Sequence, residues 1–159
     1  MVAHSRPTSP DRPAAFSLLE LAIVLAIIAI AAAVAAGRYA QSLARWRLDS
    51  AARLLASDLT LAQAHARCTS SPATVTFDSA SRAYRISGLR DPKTGDPGRI
   101  VRLGDPPARI DALAADFGGD ATLVFDGFGN PDSDGVIVLS AGPLQKTIAL
   151  DAGGKAVIR

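Results

Sequence analysis

An apolar run at residues 16–37 constrains this 159-residue chain more than any other feature. Its 22 residues carry one charged side chain, Glu20, which is also the only Glu in the protein. A helix needs about 20 apolar residues to cross the hydrocarbon core of a bilayer, whereas the apolar core of an export signal has roughly 7–15. The run therefore predicts a membrane-spanning helix near the start of the chain.

The flanking residues extend this prediction in both directions. Residues 1–15 are rich in Pro, Ser and Arg and form a short basic leader, as in export signals. Nothing breaks a helix after Gly37 until the segment CTSSP at 68–72. Apolar residues recur on one helical face in between: Leu48, Ala51, Ala52, Leu55, Leu59 and Ala62. We expect one helix of roughly 50 residues, about 80 Å long, whose first half suits lipid and whose second half suits a protein core.

After Pro72 the apolar period changes to two, which predicts strands. The expected strands cover residues 73–78, 81–87, 99–103, 108–113, 121–126, 135–140, 145–150 and 155–159. Residues 88–98 predict a loop, the strand at 135–140 is apolar on both faces and should be central, and the last two strands should close as a hairpin. The expected fold class is α+β, with a long N-terminal helix packed on an antiparallel β-sheet domain.

These patterns divide the chain into four parts. We expect a leader at 1–15, a transmembrane and assembly helix at 16–37, an amphipathic continuation at 38–70 and a sheet domain at 71–159. The single cysteine excludes an intramolecular disulfide. The sequence holds no Gly-x-Ser-x-Gly motif, phosphate loop or paired carboxylates of the kind that acid–base catalysis needs, so we expect neither an enzyme nor a bound cofactor.

Two stretches resemble a known family. The segment AFSLLE followed by about 17 apolar residues resembles the type IV prepilin processing site. The resemblance implies that prepilin peptidase cuts between Ala15 and Phe16 and methylates Phe16, and that Glu20 becomes the fifth residue. The family usually has Gly where this chain has Ala15. The segment ATLVFDGFGNPDSDGVIVLSAGPLQKTIALDAGGKAVIR resembles the C-terminal end of the GspH/FimT group of minor pseudopilins.

The resemblance implies a function for Glu20. After cleavage, the amine of Phe16 and the carboxylate of Glu20 lie one helical turn apart, near the positive end of the helix dipole. In a filament, the carboxylate of one subunit can then pair with the N-terminal amine of its neighbour. The alternative is an interfacial residue of an ordinary signal anchor, whose carboxylate reaches the membrane surface without a partner.

The implied function is that of a non-catalytic, GspH-like minor pseudopilin of a type II secretion system. It would assemble at or near the pseudopilus tip and help to export folded proteins. The implied partners are prepilin peptidase, other pseudopilins, the bacterial inner membrane and secreted cargo. The N-terminus would be cytoplasmic and the C-terminal domain periplasmic.

Other functions stay open at this point. One is a FimT-like minor pilin of a type IV pilus, with a role in DNA uptake. The C-terminal end offers only Lys146, Lys155 and Arg159 to phosphate, and residues 104–134 hold seven Asp against one Arg, which disfavours nucleic acid. Another is a signal-anchored periplasmic binding domain. A general signal peptidase cutting within 31–37 would release the domain as a soluble protein.

Two groups of side chains are weak metal candidates. Asp126, Asn130, Asp132 and Asp134 lie in one loop and could offer oxygen ligands to calcium, but Asp, Asn and Gly also form ordinary turns. His65 and Cys68 are three residues apart, and two ligands do not make a site. We expect no metal site, and Cys68 to be a small buried residue. Trp46 fits a membrane interface, a core or a helix surface.

Overall fold

The computed structural model describes residues 17–91 and 95–159, with the backbone alone at residues 35–37. Its described part contains one helix, α1 (Leu18–Thr69), followed by eight strands. The strands are β1 (Ala73–Asp78), β2 (Ala83–Arg90), β3 (Pro97–Arg102), β4 (Ala112–Asp116), β5 (Thr122–Phe125), β6 (Gly135–Ala141), β7 (Leu144–Leu150) and β8 (Ala156–Ile158). The chain divides into two compact units, Met1–Tyr39 and Ala40–Arg159.

Helix α1 begins and ends at polar residues that satisfy its free backbone groups. The Oγ of Ser17 accepts a hydrogen bond of 3.3 Å from the N–H of Leu19, in the first turn. At the other end, Ser70 has a φ of 49°, and the N–H of Ser71 donates to the carbonyl of Ala66 at 3.3 Å. The helix break expected at 68–72 is therefore confirmed.

In the second unit, α1 buries the face that the apolar spacing indicates. The six residues of that stripe are each at most 2 % exposed, and Ala66 adds one more turn. They join a core that includes Tyr84, Phe125 and Ile137 from the strands. The amphipathic pattern of the sequence thus identifies correctly which side of the helix packs against protein.

The strands form two four-stranded antiparallel sheets. Their orders are β3-β2-β1-β5 and β4-β6-β7-β8. Phe77 of β1 stacks on Phe117, which follows β4, with 5.5 Å between the ring centroids. The expected antiparallel β-sheet domain is confirmed. Its division into two sheets was not predicted, because alternation assigns each side chain to a face but does not specify which strands pair.

Some strand limits also differ from those expected. The strand expected at 108–113 is observed as β4, which begins four residues later and ends three residues later. Ile110 is instead buried in a loop, where its N–H donates to the carbonyl of Leu103 at 3.0 Å. The expected loop is shorter, since β2 runs to Arg90 and β3 begins at Pro97, and its residues 92–94 lie outside the described residues. β6 is central in its sheet, as expected, and β7 pairs with β8 as the closing hairpin.

Candidate functional site

The start of α1 places an acid on an apolar helix surface. Glu20 lies in the first turn and is exposed. From Leu18 to Val34, the large apolar side chains are between 44 % and 86 % exposed, so no protein core covers them. Within the described residues, α1 is the one helix long and apolar enough to cross a membrane. The expected cleavage pair, Ala15 and Phe16, lies outside the described residues.

Glu20 also belongs to a helix-start pattern whose cap, Ser17, was not predicted from the sequence. Because Ser17 caps the helix, Glu20 stands three residues after the cap, where a carboxylate is favoured by the positive end of the helix dipole. The signal was the spacing Ser17-x-x-Glu20, which is typical of a helix start. This explains an acid in the first turn, but it does not explain why that turn is surrounded by exposed apolar side chains.

In the second unit, α1 carries an exposed apolar row outside its buried stripe. Trp46, Leu54 and Leu61 are 64 %, 39 % and 42 % exposed. At 3.6 residues per turn they lie within about 80° of one another around the helix axis, and they flank the buried stripe. Trp46 is therefore on the helix surface, and this row is available to a partner.

A groove of about 570 Å³ lies between α1 and strand β3. Its walls include Trp46 and Leu54 from the helix, Ile100 and Arg102 from β3, and Pro106 and Pro107 from the following loop. β3 is the outermost strand of its sheet, and the groove runs beside it. The groove therefore combines apolar side chains with the edge of a β-strand.

A buried acid joins α1 to this edge of the sheet. Asp58 is 2 % exposed, its Oδ1 lies 3.0 Å from Nη2 of Arg99, and its Oδ2 accepts a 2.6 Å hydrogen bond from the hydroxyl of Tyr84. Burial, and then the hydrogen bond to Asp58, raises the pKa of Tyr84 far above its ordinary value. Nε of Arg99 is buried without a hydrogen-bond partner among the described residues.

This network was not predicted, although the sequence holds a signal for it. Asp58 stands three residues after Leu55 and four before Ala62, so it falls on the stripe predicted to be buried. A buried carboxylate requires a cationic or hydrogen-bonding partner. Its partners could not be identified because Tyr84 and Arg99 are distant in sequence and several other Arg residues were available.

The loop at 126–134 is held by its own side chains. Asp126 Oδ1 accepts hydrogen bonds from the N–H groups of Phe128 and Asn130 at 2.9 Å and 2.8 Å, and Oδ2 accepts one from Nδ2 of Asn130 at 3.1 Å. The bonds to Asn130, first of all its backbone N–H, lower the pKa of Asp126. From α1, Gln63 Nε2 donates to the carbonyl of Gly129 at 2.8 Å.

The two groups of weak metal candidates take other roles. Asp132 Oδ1 accepts the N–H of Val124 at 3.0 Å, and Asp134 is exposed. His65 lies against β2, where a Cβ on Gly88 would be 3.2 Å from its Nε2. Across residues 17–91 and 95–159, no three His, Cys, Asp or Glu side chains are grouped as metal ligands.

Cys68 is exposed, so the expectation that it is a buried residue was wrong. It lies in the last turn of α1, two residues after Ala66, where the buried stripe ends. A position two residues along a helix is turned by about 200°, which directs Cys68 away from the face that Ala66 buries.

The comparisons with known proteins agree with this architecture. Residues 51–154 match the family described as type II transport protein GspH, and residues 11–36 match the prokaryotic N-terminal methylation motif. The crystal structure of the type IV minor pilin FimU from Pseudomonas aeruginosa PAO1 is similar, with a TM-score of 0.56 and 15 % identity over 72 % of this chain and 90 % of that chain. No curated protein matches significantly.

These findings confirm the expected pilin-like fold, in which a long N-terminal helix is combined with antiparallel sheets. The family match spans 104 of the 159 residues, and the methylation motif covers much of the apolar run. The chain therefore belongs to the GspH family of pilin-like proteins.

Proposed function

We propose that this protein is a minor pseudopilin of a type II secretion system, assembled at or near the pseudopilus tip to help export folded proteins. The methylation motif implies processing by prepilin peptidase and assembly with other pilins. The family consists of structural, non-enzymatic components, and a non-catalytic role is proposed here too. The observation that carries the proposal is Glu20, an exposed acid in the first turn of an apolar helix.

The proposed role of Glu20 is to pair with a newly formed chain end. Cleavage between Ala15 and Phe16 gives a positively charged amine four residues before Glu20. In a bundle of apolar helices, the pairing of this carboxylate with a neighbouring amine offsets the burial of both charges. The pair also fixes the axial position of one subunit against the next, which apolar side chains alone do not.

The proposed topology follows from this processing. The leader at 1–15 stays in the cytoplasm, residues 16–37 cross the inner membrane, the helix continues through 38–70 and the sheets at 71–159 lie in the periplasm. Mass spectrometry of the native chain tests it, and we expect a protein lacking residues 1–15 with a methylated Phe16. An intact leader would refute the assembly mechanism, and an N-terminus within 31–37 would instead indicate a released periplasmic domain.

The assembly role is tested by Glu20→Ala. We expect the variant to reach the membrane at normal levels and to be missing from sheared pseudopili, because the loss of one partner of a buried ion pair costs about 3–5 kcal/mol. Ser17→Ala is the matched control, since it removes the helix cap and keeps the acid. Equal defects in the two variants would mean that Glu20 acts as a capping residue only.

A FimT-like minor pilin of a type IV pilus is the second candidate. The FimU likeness supports the shared fold. Of the three C-terminal cations that could contact phosphate, Lys146 is already paired with Asp49 at 3.2 Å. This leaves Lys155 and Arg159, which favours secretion over DNA uptake. Salt-dependent retardation of duplex DNA by the full chain in detergent would reverse this preference.

A further inference from the structure

The free edge of β3 faces the groove. β3 ends the order β3-β2-β1-β5, and within the described residues no strand lies beyond it. Across the groove from Ile100 and Arg102 are Trp46 and Leu54 of the helix. An unpaired strand edge presents N–H and C=O groups that can hydrogen-bond an added strand.

The register of β3 identifies which backbone groups are free. The N–H of Leu103 donates to the carbonyl of Arg82 at 2.9 Å, so these two residues form a hydrogen-bonded pair. Hydrogen-bonded and non-hydrogen-bonded pairs alternate along an antiparallel ladder. Val101 is therefore bonded to β2, whereas the N–H and C=O groups of Ile100 and Arg102 point toward the open edge.

The side chains around this edge differ in character between its two faces. On the outer face, Arg102 lies beside Ile100, and Arg85 stands opposite Ile100 on β2. Neither arginine forms an ion pair with a described residue, in contrast to Arg99 on the inner face, which is paired with Asp58. Apart from the pair of Arg99 with Asp58, the inner face of β3 borders the mainly apolar groove.

The carboxylates that line the groove lie toward its ends. Asp91 directly follows β2, next to the start of β3, and Asp105 comes three residues after β3 ends. The middle of the strand edge therefore has cationic side chains on its outer face, whereas its inner face meets a mainly apolar groove that Arg47 and the paired Arg99 also line.

We propose that β3 accepts an extended segment of a partner protein in which acidic residues alternate with apolar ones. The main chain of the segment hydrogen-bonds to Ile100 and Arg102. Its acidic side chains lie on the outer face beside Arg85 and Arg102, and its apolar side chains enter the groove. The inference depends on the geometry of the second unit and not on processing or on a secretion role, so each can fail without the other.

The test uses a capped peptide of alternating valine and glutamate, added to the full chain in detergent micelles. Trp46 is the single tryptophan of the protein, so its fluorescence reports occupation of the groove. We expect a saturable fluorescence change and slower hydrogen exchange at the amides of Ile100 and Arg102. The amide of Val101, already bonded within the sheet, should change little.

Charge variants distinguish specific strand addition at β3 from nonspecific adsorption of the peptide. Arg102→Glu should weaken binding roughly tenfold, because cross-strand attraction becomes repulsion, and Arg102→Gln should fall between it and the natural protein. Lys155→Glu, an exposed charge reversal before β8, should leave binding unchanged. Equal binding of a valine–lysine peptide, no binding at millimolar peptide, or unchanged exchange at Ile100 and Arg102 would each overturn the proposal.

Discussion

At the scale of single residues, Asp58 shows how one acid orients a helix on a sheet. Its carboxylate contacts Arg99 on the edge strand and Tyr84 on the strand beside it. A buried ion pair adds little stability compared with apolar side chains of the same shape, but the loss of one partner leaves an unpaired charge in the core. The network therefore favours one alignment of α1 with β2 and β3 over its neighbours.

We predict that Asp58→Ala lowers the free energy of unfolding by about 3–5 kcal/mol, since Arg99 keeps its charge and loses its partner. Tyr84→Phe should cost about 1.5–3 kcal/mol, the usual worth of a hydrogen bond to a charged group. Urea denaturation of the full chain in detergent, followed by circular dichroism, measures both. Asp49→Ala, at an exposed ion pair with Arg53, is the control. Equal losses at Asp58 and Asp49 would contradict the prediction.

The raised pKa of Tyr84 predicts that the folded protein loses stability at alkaline pH. Its pKa is raised in the folded protein, so the unfolded chain releases the phenolic proton first. The contribution of Tyr84 is therefore complete below about pH 10, the ordinary tyrosine value, and falls as the pH rises above it.

We expect the Tyr84→Phe variant to lose less of its free energy of unfolding as the pH rises into the alkaline range. The Tyr39→Phe variant, changed at an exposed tyrosine, should lose as much as the natural protein. The measurement is the free energy of unfolding on either side of about pH 10. Parallel curves for Tyr84→Phe and the natural protein would show that another group causes the loss.

At the scale of elements, the close packing of the two sheets depends on a glycine, Gly135. A Cβ on Gly135, at the start of β6, would overlap the ring of Phe117 and come within 2.5 Å of the carbonyl of Asp116. Phe117 is the residue whose ring stacks on Phe77 of the other sheet.

Gly135→Ala should therefore destabilise the protein by about 1–3 kcal/mol through overpacking. Gly153→Ala is the control, because the nearest atom to its Cβ would be a side-chain oxygen of Asp151 at 3.3 Å. Thermal unfolding of the two variants in the same detergent provides the comparison. A similar melting temperature for both would show that Phe117 moves aside freely.

The elements also show what the sequence could predict. The helix and its buried face follow from periodicity, because Leu55 and Leu59 repeat at helical spacing and both are fully buried. The two-sheet arrangement does not follow, since strand pairing depends on contacts between distant residues. Ile110 was assigned to a strand for its apolar character, yet it is buried from a loop. At the site, Glu20 stands out in the sequence, whereas the partners of Asp58 and the free edge of β3 require the fold.

At the scale of the whole molecule, the buried core belongs to the second unit. Every described core residue lies at or after Leu48, and the described apolar side chains before Tyr39 are exposed. The first unit therefore contributes a membrane-compatible surface and no described core contact.

We predict that residues 40–159 fold without the first unit. The fragment should be soluble, with the circular dichroism expected of α1 and two sheets and with cooperative unfolding. Residues 53–159, which lack Leu48, Ala51 and Ala52 of the buried stripe, should be clearly less stable, since each large-to-small loss in a core is destabilising. A fragment 40–159 that aggregates or remains unfolded would show that the apolar segment is needed for folding.

The ion pair between Asp58 and Arg99 has a mechanical consequence. A helix held to its sheets by methyl groups alone could slip by one turn, about 5.4 Å, and regain similar contacts. Here that slip would separate Asp58 from Arg99 and leave both charges without a partner. We therefore expect an axial force on residues 40–69 of α1 to be transmitted to the sheets, a property that suits the proposed assembly into a filament.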